Sequence, residues 1–176
     1  MMQQLFLVFI LSAFLVKDDS HLIEWSASRK LSWSDFKAAP DPSSSNAALT
    51  NSSIFLDLGY NDTKLTYSIR CRFNPLRSWG RIKDDYILNH EQRHFDISEI
   101  HARMLHKGLK HYVFRSKTVN EDTQKIYQGE MQRHVEMQQQ YDRETNHSLN
   151  SDKQKEWNNR IDSLLIVYQP YADYRK

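Results

Sequence analysis

Five consecutive residues, His90-Glu91-Gln92-Arg93-His94, read H-E-x-x-H. On a helix, side chains four apart project from one face, so two imidazoles at this spacing can grip one metal ion. Zn²⁺ takes neutral imidazole nitrogen readily, and a site with three protein donors keeps a position open for water. Water on such an ion drops in pKa from 15.7 to about 7. Glu91 lies one residue round from His90, placed to draw off that water's proton as general base without ligating the ion. The expected chemistry is attack of an activated water on a polarised carbonyl, with His90 and His94 as metal ligands and Glu91 as the catalytic residue. The bland alternative is a pair of core histidines on an apolar stripe.

Spacing alone leaves the third donor open. His101 is eleven residues beyond His90, and one straight helix does not easily aim three such separated turns at one ion. A core or surface role is expected for it. Glu130, His134 and Glu136 lie midway along a second helical pattern, and Tyr141-Asp142-Arg143-Glu144-Thr145-Asn146-His147 lies at its end. His147 falls just past that end, where a turn would swing its ring inward; Asp142 and Glu144 are the alternatives.

These residues need elements to hold them. Period-2 alternation in Lys64–Phe73 puts Leu65, Tyr67, Ile69, Cys71 and Phe73 on one face, and with Ser53–Leu58 it predicts a hairpin around Gly59-Tyr60-Asn61-Asp62. His21–Trp25 is a strand candidate, Leu31–Phe36 is too short to type, and Pro40–Asn46 reads as a loop. From Ile82 to about Phe114 the apolar positions recur at helical spacing, with a bend or break expected near Gly108. Thr118-Val119-Asn120-Glu121 and Ser151-Asp152-Lys153-Gln154 have the form of capping boxes. They open helices striped by Tyr127, Met131, Val135 and Tyr141, and by Trp157, Ile161, Leu164, Leu165 and Tyr168. The fold class expected is α+β: a small antiparallel or mixed sheet followed by a layer of about three helices, with H-E-x-x-H on the first.

Length and composition narrow the remaining classes. The 176 residues suit a single domain over 21–176. A net charge of +2 with dispersed Lys and Arg carries no case for nucleic acid. One cysteine, Cys71, rules out an intrachain disulfide and a Cys-based zinc module, and its place on the apolar face suggests a small buried hydrophobe. Leu5–Val16 is twelve residues without a charge, too short for a comfortable membrane span and fitting the core of a signal peptide over 1–20. A secreted or periplasmic protein, with no stable membrane span after processing, is therefore expected.

The string Leu88-Asn89-His90-Glu91-Gln92-Arg93-His94-Phe95-Asp96-Ile97-Ser98-Glu99-Ile100-His101-Ala102-Arg103 resembles the L-x-HEQ-x-HFDI-x-E-x-x-A-R block of a bacterial family. That family carries a domain-of-unknown-function name and is described as secreted zinc-dependent proteases. Leu31-Ser32-Trp33-Ser34-Asp35-Phe36, the 141–147 segment, and Gln154 with Trp157 are similar too, in order along nearly the whole chain after residue 20. One departure is Ser148, where the family often has Gly. The resemblance implies a zincin-like fold whose edge strand receives an extended peptide or protein substrate.

The reading adopted is a zinc-dependent metallopeptidase with Zn²⁺ on His90, His94 and His147. Its rivals are an inactive zincin-like binding or assembly module of the cell envelope, and a closed structural zinc site adding Asp142 or Glu144. Asp96 is expected to orient a ligand imidazole; Glu99 either does the same or pairs with Arg103. Tyr141 suits the core better than an oxyanion contact, and Arg143 suits solvent. Trp25, Trp33, Trp79 and Trp157 read as core anchors, and Gln138-Gln139-Gln140 as a solvated helix face.

Overall fold

The structure is a computed structural model and describes residues 19–175; the apolar run Leu5–Val16, and with it the expected leader, lies outside the described residues. The hairpin forms where alternation placed it. Strand β3 (Ser52–Tyr60) pairs antiparallel with β4 (Leu65–Phe73), Ile54 opposite Cys71 and Leu56 opposite Ile69. Asn61 accepts from the backbone of Thr63 and Lys64 to close the tip. Strand β1 (Ile23–Glu24) adds to the other edge of β4, giving the order β1-β4-β3. Ile69, Cys71 and Phe73 are buried beneath the helices while Arg70 and Arg72 face outward.

Two further strands, each two residues long, form a separate antiparallel ribbon: β2 (Ala48–Leu49) against β5 (Trp79–Gly80). Gly80 is required there because the Trp33 ring lies where its Cβ would be, at 2.5 Å. Leu31–Phe36, untyped by pattern, contains a 3₁₀ turn at Trp33–Asp35.

Three helices complete the α+β architecture of the described residues. α1 (Asp85–Lys110) is N-capped by Asp84, whose carboxylate accepts from Ile87 N at 2.8 Å. It starts later and ends sooner than the apolar pattern suggested, spanning about 39 Å, and it runs through Gly108 as regular helix. A Cβ at Gly108 would sit 3.1 Å from Ile126, so the missing side chain serves close helix packing rather than a break. α2 (Val119–Thr145) packs along α1, but Thr118 makes no capping bond to the backbone; its hydroxyl binds Asp122 instead. α3 (Ser151–Val167) is capped one residue earlier than its sequence suggested, by Asn150 accepting from Lys153 N.

The core is two clusters on α1. One joins it to the sheet through Trp25, Phe73, Phe95 and Leu105; the other joins it to α2 and α3 through Ile97, Ile100, Tyr141, Trp157 and Ile161. Trp25, Trp79 and Trp157 are buried anchors as expected, and Trp33 is partly buried. Val135, placed on the α2 stripe by spacing, is exposed. No helix among the described residues is long and apolar enough to cross a membrane.

Candidate metal centre

His90 and His94 stand one turn apart on the buried face of α1, with their Nε2 atoms 3.2 Å from each other. Asp142, in the last turn of α2, brings Oδ1 to 3.3 Å from His90 Nε2 and 3.1 Å from His94 Nε2. Tetrahedral zinc with ligands at 2.0–2.1 Å separates its donors by about 3.3–3.4 Å. Among the described residues these three form the one compact group of candidate metal donors.

Both rings are held so that Nε2 presents its lone pair. His90 Nδ1 donates to Gln154 Oε1 (2.8 Å) and His94 Nδ1 donates to Gln138 Oε1 (2.6 Å). Gln138 and Asp142 are i and i+4 on α2, so one helix face meets both nitrogens of His94. The Gln138 amide also donates to His94 O at 2.9 Å. Gln154, in the first turn of α3 and 1 % exposed, also donates to the Tyr141 hydroxyl. The Tyr141 ring stacks on His90 at 4.6 Å between centroids.

Two nitrogen lone pairs and a carboxylate at such distances repel unless a cation sits among them. Without metal, a proton fills that role. Burial by itself pushes the His94 pKa down, but hydrogen bonding and charge from Asp142, with the Glu91 charge, override it and raise the value to about 9. Burial likewise opposes the charge on Asp142, yet hydrogen bonds from the two histidines hold its carboxyl well below the usual carboxylate range. The donor set therefore fits a divalent cation.

The centre opens on a pocket of about 250 Å³ lined by Asn46–Thr50, Ile87, Glu91, Gln138, His147 and Ser148 beside the three donors. Glu91 is 4 % exposed, and its Oε2 is buried with no hydrogen-bond partner. Its backbone carbonyl accepts from Thr50 Oγ1 (3.1 Å), tying the segment that follows β2 to α1.

The three third-donor candidates occupy different places. Asp142 lies against both imidazoles. His147 is at the pocket wall, its side chain 55 % exposed and Nδ1 3.7 Å from Asp142 Oδ1. Glu144 turns away and accepts from the Trp157 indole at 2.8 Å. Further along α1 and α2, His101 Nδ1 donates to buried Glu130 at 2.6 Å, and Arg133 pairs with the same carboxylate. His134 binds Ser98 Oγ at 2.9 Å, and burial, with the His101 charge, depresses its pKa to about 4. Glu136 is exposed.

Two expectations are corrected. Asp96 does not touch a ligand imidazole: it accepts from Trp25 Nε1 (2.8 Å) and Gln92 Nε2 (2.9 Å) and pairs with Arg93, because its turn of the helix faces β1 rather than the pocket. Gln138 is no solvated residue, since it holds His94. Glu99 pairs with Arg103 at 2.8 Å, but in the core, and also accepts from the Tyr174 hydroxyl. Tyr141 is fully buried and donates to His90 O.

The described residues thus define an α+β domain with a His–His–carboxylate cradle at the base of a pocket. The chain belongs to the family described as "Bacterial protein of unknown function (DUF922)", whose model matches residues 20–148. The matched stretch includes every residue lining the pocket and stops short of α3. Neither a curated protein nor a solved structure matches the chain.

Proposed function

We propose that this protein is a zinc-dependent hydrolase of the zincin type acting on peptide bonds outside the cytoplasm. The observation that carries the reading is the convergence of two Nε2 atoms and Asp142 Oδ1 at 3.1–3.3 Å beside a buried, unpartnered Glu91 oxygen. His90, His94 and Asp142 would hold Zn²⁺, which acidifies water and polarises a carbonyl. Gln138 and Gln154 keep both rings in the Nε2-donating tautomer. Glu91 Oε2 takes a proton from the water as its oxygen bonds to the carbonyl carbon. It then passes that proton to the departing amine as the C–N bond breaks. Strand β2, paired on one side only, lines the pocket and offers backbone groups to an extended peptide, which favours a polypeptide substrate. The run Leu5–Val16 supports export.

Glu91→Gln tests the assignment. The variant is expected to bind one zinc per chain as the wild type does, while hydrolysis of dye-quenched β-casein falls by about 10²–10⁴-fold. Undiminished turnover would remove Glu91 from the chemistry.

A further inference from the structure

We propose that His147 is a catalytic residue that donates a ring N–H to the carbonyl oxygen as negative charge develops on it, and is not a metal ligand. This rests on the hydrolase reading above. Hydrolysis needs a donor aimed where that charge appears. Of the polar side chains lining the pocket, the Gln138 amide is committed to His94 and the Thr50 hydroxyl to Glu91 O, and the buried Tyr141 hydroxyl behind them donates to His90 O. His147 keeps an accessible ring in the same pocket, 3.7 Å from Asp142 Oδ1, yet its ring nitrogens are not part of the compact donor group formed by His90, His94 and Asp142.

The backbone carrying it is unusual. Asn146, His147 and Ser148 have φ of 48°, 50° and 75°, the only non-glycine residues at positive φ among those described. An αL residue at Asn146 ends α2 in a common way. Two more in succession are not needed to stop a helix, and such strain persists where the surroundings enforce it, often at a site of function. His147 N donates to Asp142 O (2.9 Å) and Asn150 N to Thr145 O (2.8 Å), pinning the strained turn at both ends. The carboxylate beside the ring and the ring itself are therefore placed by one piece of chain.

In the step assigned to it, the water oxygen bonds to the carbonyl carbon, the π pair moves onto the carbonyl oxygen, and the His147 N–H hydrogen-bonds that oxygen without losing its proton. When the C–N bond breaks the pair returns, and Glu91 supplies the amine proton.

The test compares wild type, His147→Ala, His147→Asn and Asp142→Ala as full chains. The readings are zinc affinity against a chromophoric chelator, the visible spectrum of the Co²⁺ form, thermal melting, and kcat and KM on dye-quenched β-casein. Asn tolerates positive φ and keeps an N–H donor. His147→Ala is expected to keep zinc affinity and the cobalt spectrum while kcat falls about 10²–10³-fold with KM little changed, and His147→Asn to recover part of the rate. Asp142→Ala alone should disturb both metal readings. A weakened zinc affinity with an altered cobalt spectrum in His147→Ala would make it a ligand and overturn the proposal, as would an unchanged kcat. Absence of zinc-dependent hydrolysis in the wild type would instead remove the hydrolase reading, and this proposal with it.

Discussion

At the scale of single residues, the centre gathers acceptors around space for one cation, where a proton and the proposed metal would compete. His94, at about 9 without metal, stays an imidazolium well above the 6.5 of an exposed ring. Its contribution to the stability of the metal-free protein is therefore complete below pH 6.5 and fades as pH rises through 9. Zinc would require the neutral ring, so the proposed binding near neutrality would release that proton. Apparent zinc affinity is expected to rise about tenfold per pH unit between roughly pH 7 and 9, measured by chelator competition in a pH series. A flat profile over that range would contradict the assigned state of His94. H-E-x-x-H was legible because a turn of helix converts spacing into proximity. Gln138 and Gln154 were not, because an amide has no charge or period to mark it, and Asp142 competed with His147 and Glu144 for a role that only the end of α2 decides.

At the scale of elements, the turn after α2 determines where Asp142 and His147 stand. The left-handed stretch at 146–148 ends on Ser148. Ser148 is 6 % exposed with φ 75°. Ser148→Gly should remove most of an αL cost of about 1 kcal/mol or more, partly offset by glycine's greater freedom when unfolded. The expected result is a melting temperature about 1–3 °C higher with zinc affinity retained; a lower melting temperature would show that the serine side chain holds the turn. The hairpin and all three helices were legible from periodicity. The ribbon β2–β5 was not, since two-residue strands carry no period, and Gly108 misled because a glycine that permits close packing looks like one that breaks a helix.

For the whole molecule, α1 is shared by two cores, one against the sheet and one against α2 and α3. Asp96 ties the first of these together by binding Trp25 next to β1 and Gln92 and Arg93 on α1. Removing a fully buried, paired carboxylate leaves its partners unsatisfied. Asp96→Ala is therefore expected to lower stability by about 3 kcal/mol, of the order of 10 °C in melting temperature, while zinc affinity per folded chain is unchanged. Loss of zinc binding in a folded Asp96→Ala protein would mean the two faces of α1 are not independent. The α+β class followed from the order of patterns along the chain. Which face of α1 each acidic residue would serve did not, because that depends on how the sheet and helices divide its circumference.

His90, His94 and Asp142 are proposed to bind one zinc ion together. Zinc content after dialysis against trace metal, measured on wild type beside Asp142→Ala and His94→Ala with folding checked by circular dichroism, tests it most directly. One equivalent in the wild type and almost none in either folded variant is the predicted result. A wild type that retains no zinc, or an Asp142→Ala variant that retains a full equivalent, would contradict it.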